Sequence, residues 1–128
     1  MTITLGEKKI NVPFKVREIF NKYAENFETE EEFFSYLRVM LDNDETIETL
    51  LKKISSGEHF YILDNVNKVN FLMEKTEKAE ITIEFCIFNR KISFIPGTKG
   101  IKISKKKGEP KSYTPIIMGD RLGLSWFK

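Results

Sequence analysis

With 128 residues, 41% of them apolar and 31% charged, the chain holds enough apolar material for one core and too much for a disordered segment. Its single cysteine, Cys86, excludes an internal disulfide, and no leader-like or bilayer-length apolar run is visible, so a cytoplasmic protein with no membrane partner is expected. The net charge of +2 hides a division: residues 1–64 carry 8 Lys/Arg against 13 Asp/Glu, and residues 65–128 carry 13 against 6.

Ile3 and Leu5, a Gly6-Glu7 turn, and then Ile10 and Val12 predict an N-terminal β-hairpin. Pro13 ends it and opens a helix in which Val16, Ile19, Phe20, Tyr23 and Phe27 recur at helical spacing. A second helix starts at a capping box, Thr29 with Glu32, while Glu30 and Glu31 favour the positive end of its dipole. Phe33, Tyr36, Leu37, Met40 and Leu41 form its apolar stripe. Asp42-Asn43-Asp44 interrupts the stripe and caps a third helix, with Ile47, Leu50, Leu51 and Ile54 inward and a Glu48–Lys52 pair outward. Gly57 ends it.

The second half reads as strands. His59 to Leu63 is the first, and a turn over residues 64–67 returns the chain through residues up to 78. The clearest alternation spans residues 81–95 and predicts a hairpin about Asn89-Arg90, pairing Ile87 with Ile92, Cys86 with Ser93 and Phe85 with Phe94. Its buried face would hold Ile83, Phe85, Ile87, Ile92 and Phe94. After Pro96-Gly97, Ile101 and Ile103 flank Lys102, Gly108-Glu109-Pro110 marks a turn, and Tyr113 to Met118 forms another strand. Leu122, Leu124 and Trp126 alternate in a terminal strand. The expected architecture is a single α+β domain over residues 1–128, its N-terminal β-hairpin and three helices packed against a mainly antiparallel β-sheet from the C-terminal half.

No catalytic constellation emerges. The only histidine, His59, has no nucleophile beside it, and Cys86 between Phe85 and Ile87 reads as core packing. One His and one Cys do not make a zinc site. Asp42-Asn43-Asp44-Glu45 lacks the glycine and terminal Glu of a calcium loop, and Gly97-Thr98-Lys99-Gly100 lacks the full spacing of a phosphate loop. No metal and no cofactor is therefore expected. Pro96-Gly97, Lys99-Gly100-Ile101 and the alternating strand after them are similar to a segment of single-strand-binding transcription coactivators. The helix that follows in those proteins has no counterpart here, and the resemblance is not adopted.

Two charged stretches remain. Glu25, Glu28, Glu30, Glu31, Glu32, Asp42, Asp44, Glu45 and Glu48 form either a solvated helical face or a surface for a basic protein partner. Lys99, Lys102, Lys105, Lys106, Lys107 and Lys111, close to Tyr113, form either a lysine-guarded edge strand or a phosphate-binding surface with an aromatic for stacking. The expected function is a non-catalytic binding or regulatory protein that docks on a protein or nucleoprotein. Seventeen Lys against four Arg fits an AT-rich genome, and a phage or mobile-element inhibitor of host nucleic-acid-targeting machinery is one form of that role. The alternatives are a nucleic-acid-binding protein using the basic β-rich half, a phage structural or tail-assembly component, and an enzyme whose site the sequence does not display.

Overall fold

The computed structural model describes residues 1–42 and 45–119. Strands β1 (Thr2–Leu5) and β2 (Lys8–Asn11) form the N-terminal hairpin, turning at Gly6 with φ +54, a left-handed backbone that glycine adopts without penalty. Helices α1 (Phe14–Tyr23), α2 (Glu30–Leu41) and α3 (Glu45–Lys53) follow. Strands β3 (His59–Asp64), β4 (Val69–Glu77), β5 (Glu80–Phe88), β6 (Lys99–Ser104) and β7 (Ser112–Ile117) complete the described chain. The expected terminal strand at Leu122–Trp126 lies outside the described residues.

The fold is α+β. Its seven strands lie in the order β1-β2-β5-β4-β3-β6-β7, and the sheet is mixed: four of its six pairings are antiparallel, while β2–β5 and β3–β6 pair in parallel. The N-terminal hairpin is part of this sheet: Ile10 stands beside Ile81, and Ile3 and Ile10 are buried in the core on the helix side. Two crossovers result. The three helices carry the chain from β2 to β3 over one face, and residues 89–98 carry it from β5 to β6 over the other. Both cross in the same direction between parallel strands, so they have opposite hands.

Local chemistry explains the helix ends. The Thr29 hydroxyl accepts the Glu32 N–H at 3.2 Å, and the Glu32 carboxylate accepts from the Glu28 N–H at 2.7 Å, one residue earlier than in a simple capping box. At the other end of the helical layer, the buried Lys75 ammonium donates to the carbonyls of Leu51 at 2.6 Å and Ile54 at 3.0 Å. It thereby satisfies carbonyls that the end of α3 leaves without partners. Glu48 is held by Lys8 at 3.3 Å, in place of the expected Lys52.

The main core lies between the helices and one sheet face, and Phe33 is its hub. Its ring centroid is 4.9 Å from Phe20, 5.6 Å from Phe27 and 5.8 Å from Phe88. A smaller cluster of Tyr61, Ile92 and Met118 covers part of the opposite face, where the Tyr61 hydroxyl accepts the Ile95 N–H at 3.1 Å.

The predicted 81–95 hairpin does not form. β5 pairs with β4 on one side and with β2 on the other, and residues 89–98 leave the sheet. A register shift sets Met73 opposite Ile83 but Leu72 opposite Phe85, so Glu84 is an extra residue on β5. Such a bulge resets the alternation. Ile81 and Ile83 face the helices before it, Cys86 and Phe88 after it, and Phe85 is left 39% exposed on the other face. Phe33→Ala should therefore lower unfolding free energy by about 3–5 kcal/mol, and Phe85→Ala by less than about 1 kcal/mol, in chemical denaturation. Equal losses would contradict the bulge.

Candidate functional site

The acidic residues that are close in sequence do not form one face. α2 has 12 residues, so Glu30 and Glu31 at its start stand about 18 Å from Asp42 at its end, and Glu45 belongs to α3. Several are already engaged. Arg17 forks onto Glu30 at 2.8 and 3.3 Å, Glu32 closes the α2 cap, and Lys8 holds Glu48. Glu25, Glu28 and Glu31 remain exposed around the start of α2, and Asp44 lies outside the described residues.

The basic stretch is also divided. Lys99, at the start of β6, meets Glu58 at 3.4 Å. Lys102 is exposed in mid-strand on the face away from the helices, whereas Tyr113 faces them and donates its hydroxyl proton to the Met40 carbonyl at 3.0 Å. Tyr113 is thus packed on the opposite side of the sheet from Lys102. Lys105, Lys106, Lys107 and Lys111 are exposed in the loop from β6 to β7. β7, not β6, is the outermost described strand.

What the topology adds is a second basic group beside that loop. β3, β5 and β6 run the same way, so their carboxyl ends share one end of the sheet. Lys68 follows β3 through its turn, and Arg90 and Lys91 follow β5. All three are exposed, and with Asn65, Asn70 and Asn89 they line an open concavity of about 450 Å³. The Asn65 N–H donates to the Ile103 carbonyl at 2.9 Å, joining this turn to the end of β6. From β5 to β7 the rim spans four strand spacings, about 19 Å. Reading the sequence alone misses Lys68, Arg90 and Lys91 because they are isolated there; the available signal is that each closely follows a strand.

Backbone geometry holds the rim. Lys68 and Asn89 have φ of 60 and 59, left-handed values costing non-glycine residues on the order of 1–2 kcal/mol. The two are bonded directly, Asn89 N–H to Lys68 carbonyl at 2.8 Å, and the Asn70 amide donates to the Arg90 carbonyl at 2.7 Å. Beneath them, buried Asp64 accepts the Tyr36 hydroxyl at 2.6 Å, the Val66 and Asn67 N–H groups at 2.9 and 3.0 Å, and the Asn67 side-chain amide at 3.0 Å. Burial first, and the Asp64 charge second, push the Tyr36 hydroxyl well above its ordinary value, so it remains a donor. Asp64→Ala would strand these donors and should cost about 3 kcal/mol or more in denaturant unfolding; Tyr36→Phe removes one of them and should cost about 1–2 kcal/mol.

A separate cleft of about 560 Å³ runs between α1 and β5, lined in part by Ile19, Tyr23, Phe85 and Arg90. Cys86 borders it but is buried, and burial pushes its thiol up to about 12. Native alkylation should therefore be slow, with on the order of a thousandfold less thiolate than an ordinary cysteine has at the same pH. The sign for stability follows from the raised value: the unfolded thiol ionises first. The contribution of Cys86 to stability is full below pH 9.0 and is lost as pH rises from there towards about 12. Denaturation midpoints that are lower in Cys86→Ala but flatter across that window would check the assignment.

No family model matches this chain, and neither does a curated protein or a solved structure, so a functional reading rests on its own residues.

Proposed function

We propose that this chain is a non-catalytic binding protein that docks on a nucleoprotein, with the basic rim meeting the nucleic-acid backbone. The observation that supports this reading is the gathering of Lys68, Arg90, Lys91, Lys105, Lys106, Lys107 and Lys111 at one end of the sheet. Along about 19 Å, one strand of B-form nucleic acid presents about five phosphates, so a rim of this width suits a multi-phosphate contact. Glu25, which lines the α1–β5 cleft, and exposed Glu28 and Glu31 flank the helical side. They repel a polyanion from the helices and direct it to the open sheet side. Inhibition or regulation of nucleic-acid-targeting machinery by stoichiometric occupation is the activity that such docking serves.

Neutralising Lys105, Lys106 and Lys107 to Gln, and separately Lys68, Arg90 and Lys91, should weaken nucleic-acid binding in both variants, uniformly across sequences. The log–log salt slope should become shallower by about 0.7–0.9 for each phosphate that the variant no longer neutralises. Reversing Glu31 and Glu45 to Lys should leave binding intact or tighten it. The reading fails if both neutralised variants bind like wild type, or if only the acid reversals abolish capture of the partner by a folded protein.

A further inference from the structure

A second group of polar side chains converges at the other end of the sheet, independently of the basic rim. His59, Glu74 and Glu84 come from three adjacent strands, β3, β4 and β5. His59 and Glu74 stand directly opposite each other in the β3–β4 ladder, with Nε2 3.3 Å from a Glu74 carboxylate oxygen. Glu84 is the extra residue of the β5 bulge. One ligand atom from each residue, an imidazole nitrogen and two carboxylate oxygens, lies within 4.8 Å of the other two.

We propose that His59, Glu74 and Glu84 hold a divalent transition-metal ion of the zinc class. An ion centred in a triangle with 4.8 Å sides is about 2.8 Å from each corner. Zinc needs about 2.0–2.2 Å, so each donor must move inward by less than about 1 Å, which rotation about the long Glu side chains supplies. The donor set selects the ion. Imidazole nitrogen with carboxylate oxygen suits zinc and its first-row neighbours, whereas magnesium and calcium favour oxygen alone.

Charge points the same way. Two carboxylates meet here, and Lys15 brings its Nζ to 3.8 Å from Glu84. A dication in place of that ammonium balances the two carboxylates. All three side chains are partly solvent-exposed, which gives an ion direct entry from water. Three protein ligands leave further coordination positions for water or for a donor from a docked partner.

The test is calorimetric titration of the full chain with Zn²⁺, followed by NMR of the His59 imidazole. One Zn²⁺ per chain should bind, with the His59 ring resonances shifted and millimolar Mg²⁺ failing to compete. His59→Ala and Glu84→Gln should each weaken binding by at least about tenfold. Lys15→Ala should preserve or tighten it, because the competing ammonium is gone. Circular dichroism establishes that each variant is folded, and the wild-type NMR result decides the matter where one is not. The proposal is overturned by absence of saturable 1:1 binding, by an unperturbed His59 ring, by equal competition from Mg²⁺, or by a folded His59→Ala variant with wild-type affinity.

Discussion

At the last position of β3 the chain buries a carboxylate with 1% exposure, and Asp64 is tolerable there only because donors surround it. Two of those donors are backbone N–H groups of its own turn, at Val66 and Asn67, so the charge fixes the β3–β4 hairpin locally. A third is the hydroxyl of Tyr36 on α2, so the same charge ties the helical layer to the sheet. A helix that shifted along the sheet would leave a buried charge short of a partner, a cost of several kcal/mol. The turn then forces Lys68 into a left-handed conformation, and the Lys68 carbonyl receives the N–H of Asn89. One buried carboxylate therefore sets where the chain leaves β5, and with it where Arg90 and Lys91 stand.

The extra residue at Glu84 has the opposite character, since it breaks a regular pattern. Before it, the helix-facing residues are Ile81 and Ile83; after it, Cys86 and Phe88. Without the shift, Phe85 would enter the aromatic cluster around Phe33, and Cys86 and Phe88 would turn to the other face. The segment after β5 crosses the sheet's helix-free face instead of folding back as a hairpin. There Ile92 packs with Tyr61 and Met118.

The helices are legible in the sequence because their signals are local. Thr29 and Glu32 lie three residues apart, and the stripe from Phe33 to Leu41 recurs within one element, so neither depends on the rest of the chain. The turn after Asp64, the left-handed Gly97 and the strands around Ile101 and Ile116 are legible for the same reason. Alternation reports which face a residue occupies and says nothing about which strand lies beside it. Hence the parallel pairings of β2 with β5 and of β3 with β6 leave no mark in the sequence, and the alternation offers Ile92 as a hairpin partner for Ile87, whose actual partner is Asn70. The charged sites mislead in both directions. Acids adjacent in sequence are separated by the length of α2, while Lys68, Arg90 and the lysines after β6 are distant in sequence and meet only through strand order.

That strand order also separates the two sites from each other. β3 runs its six residues from His59 at one end to Asp64 beneath the basic rim at the other, about 17 Å. The Debye length at physiological ionic strength is about 8 Å, so this separation exceeds two screening lengths. A dication beside His59 therefore adds little to the potential felt by a phosphate at Lys68 or Lys106, and a polyanion on the rim does little to recruit the ion. The rim itself is wider than two screening lengths, so its two ends act on different phosphates nearly independently. Affinity from such an arrangement accumulates phosphate by phosphate through counterion release and does not depend on the close fit of a single pocket. Under the proposed docking, such a surface would read the spacing and density of charge on its partner, with no sequence preference of its own, and selectivity for one nucleoprotein would come from protein contacts alongside. The α1–β5 cleft adjoins the rim at Arg90 and is lined in part by the exposed Tyr23 and Phe85, so under the proposed docking it offers apolar contact area to a protein bound to the same nucleic acid.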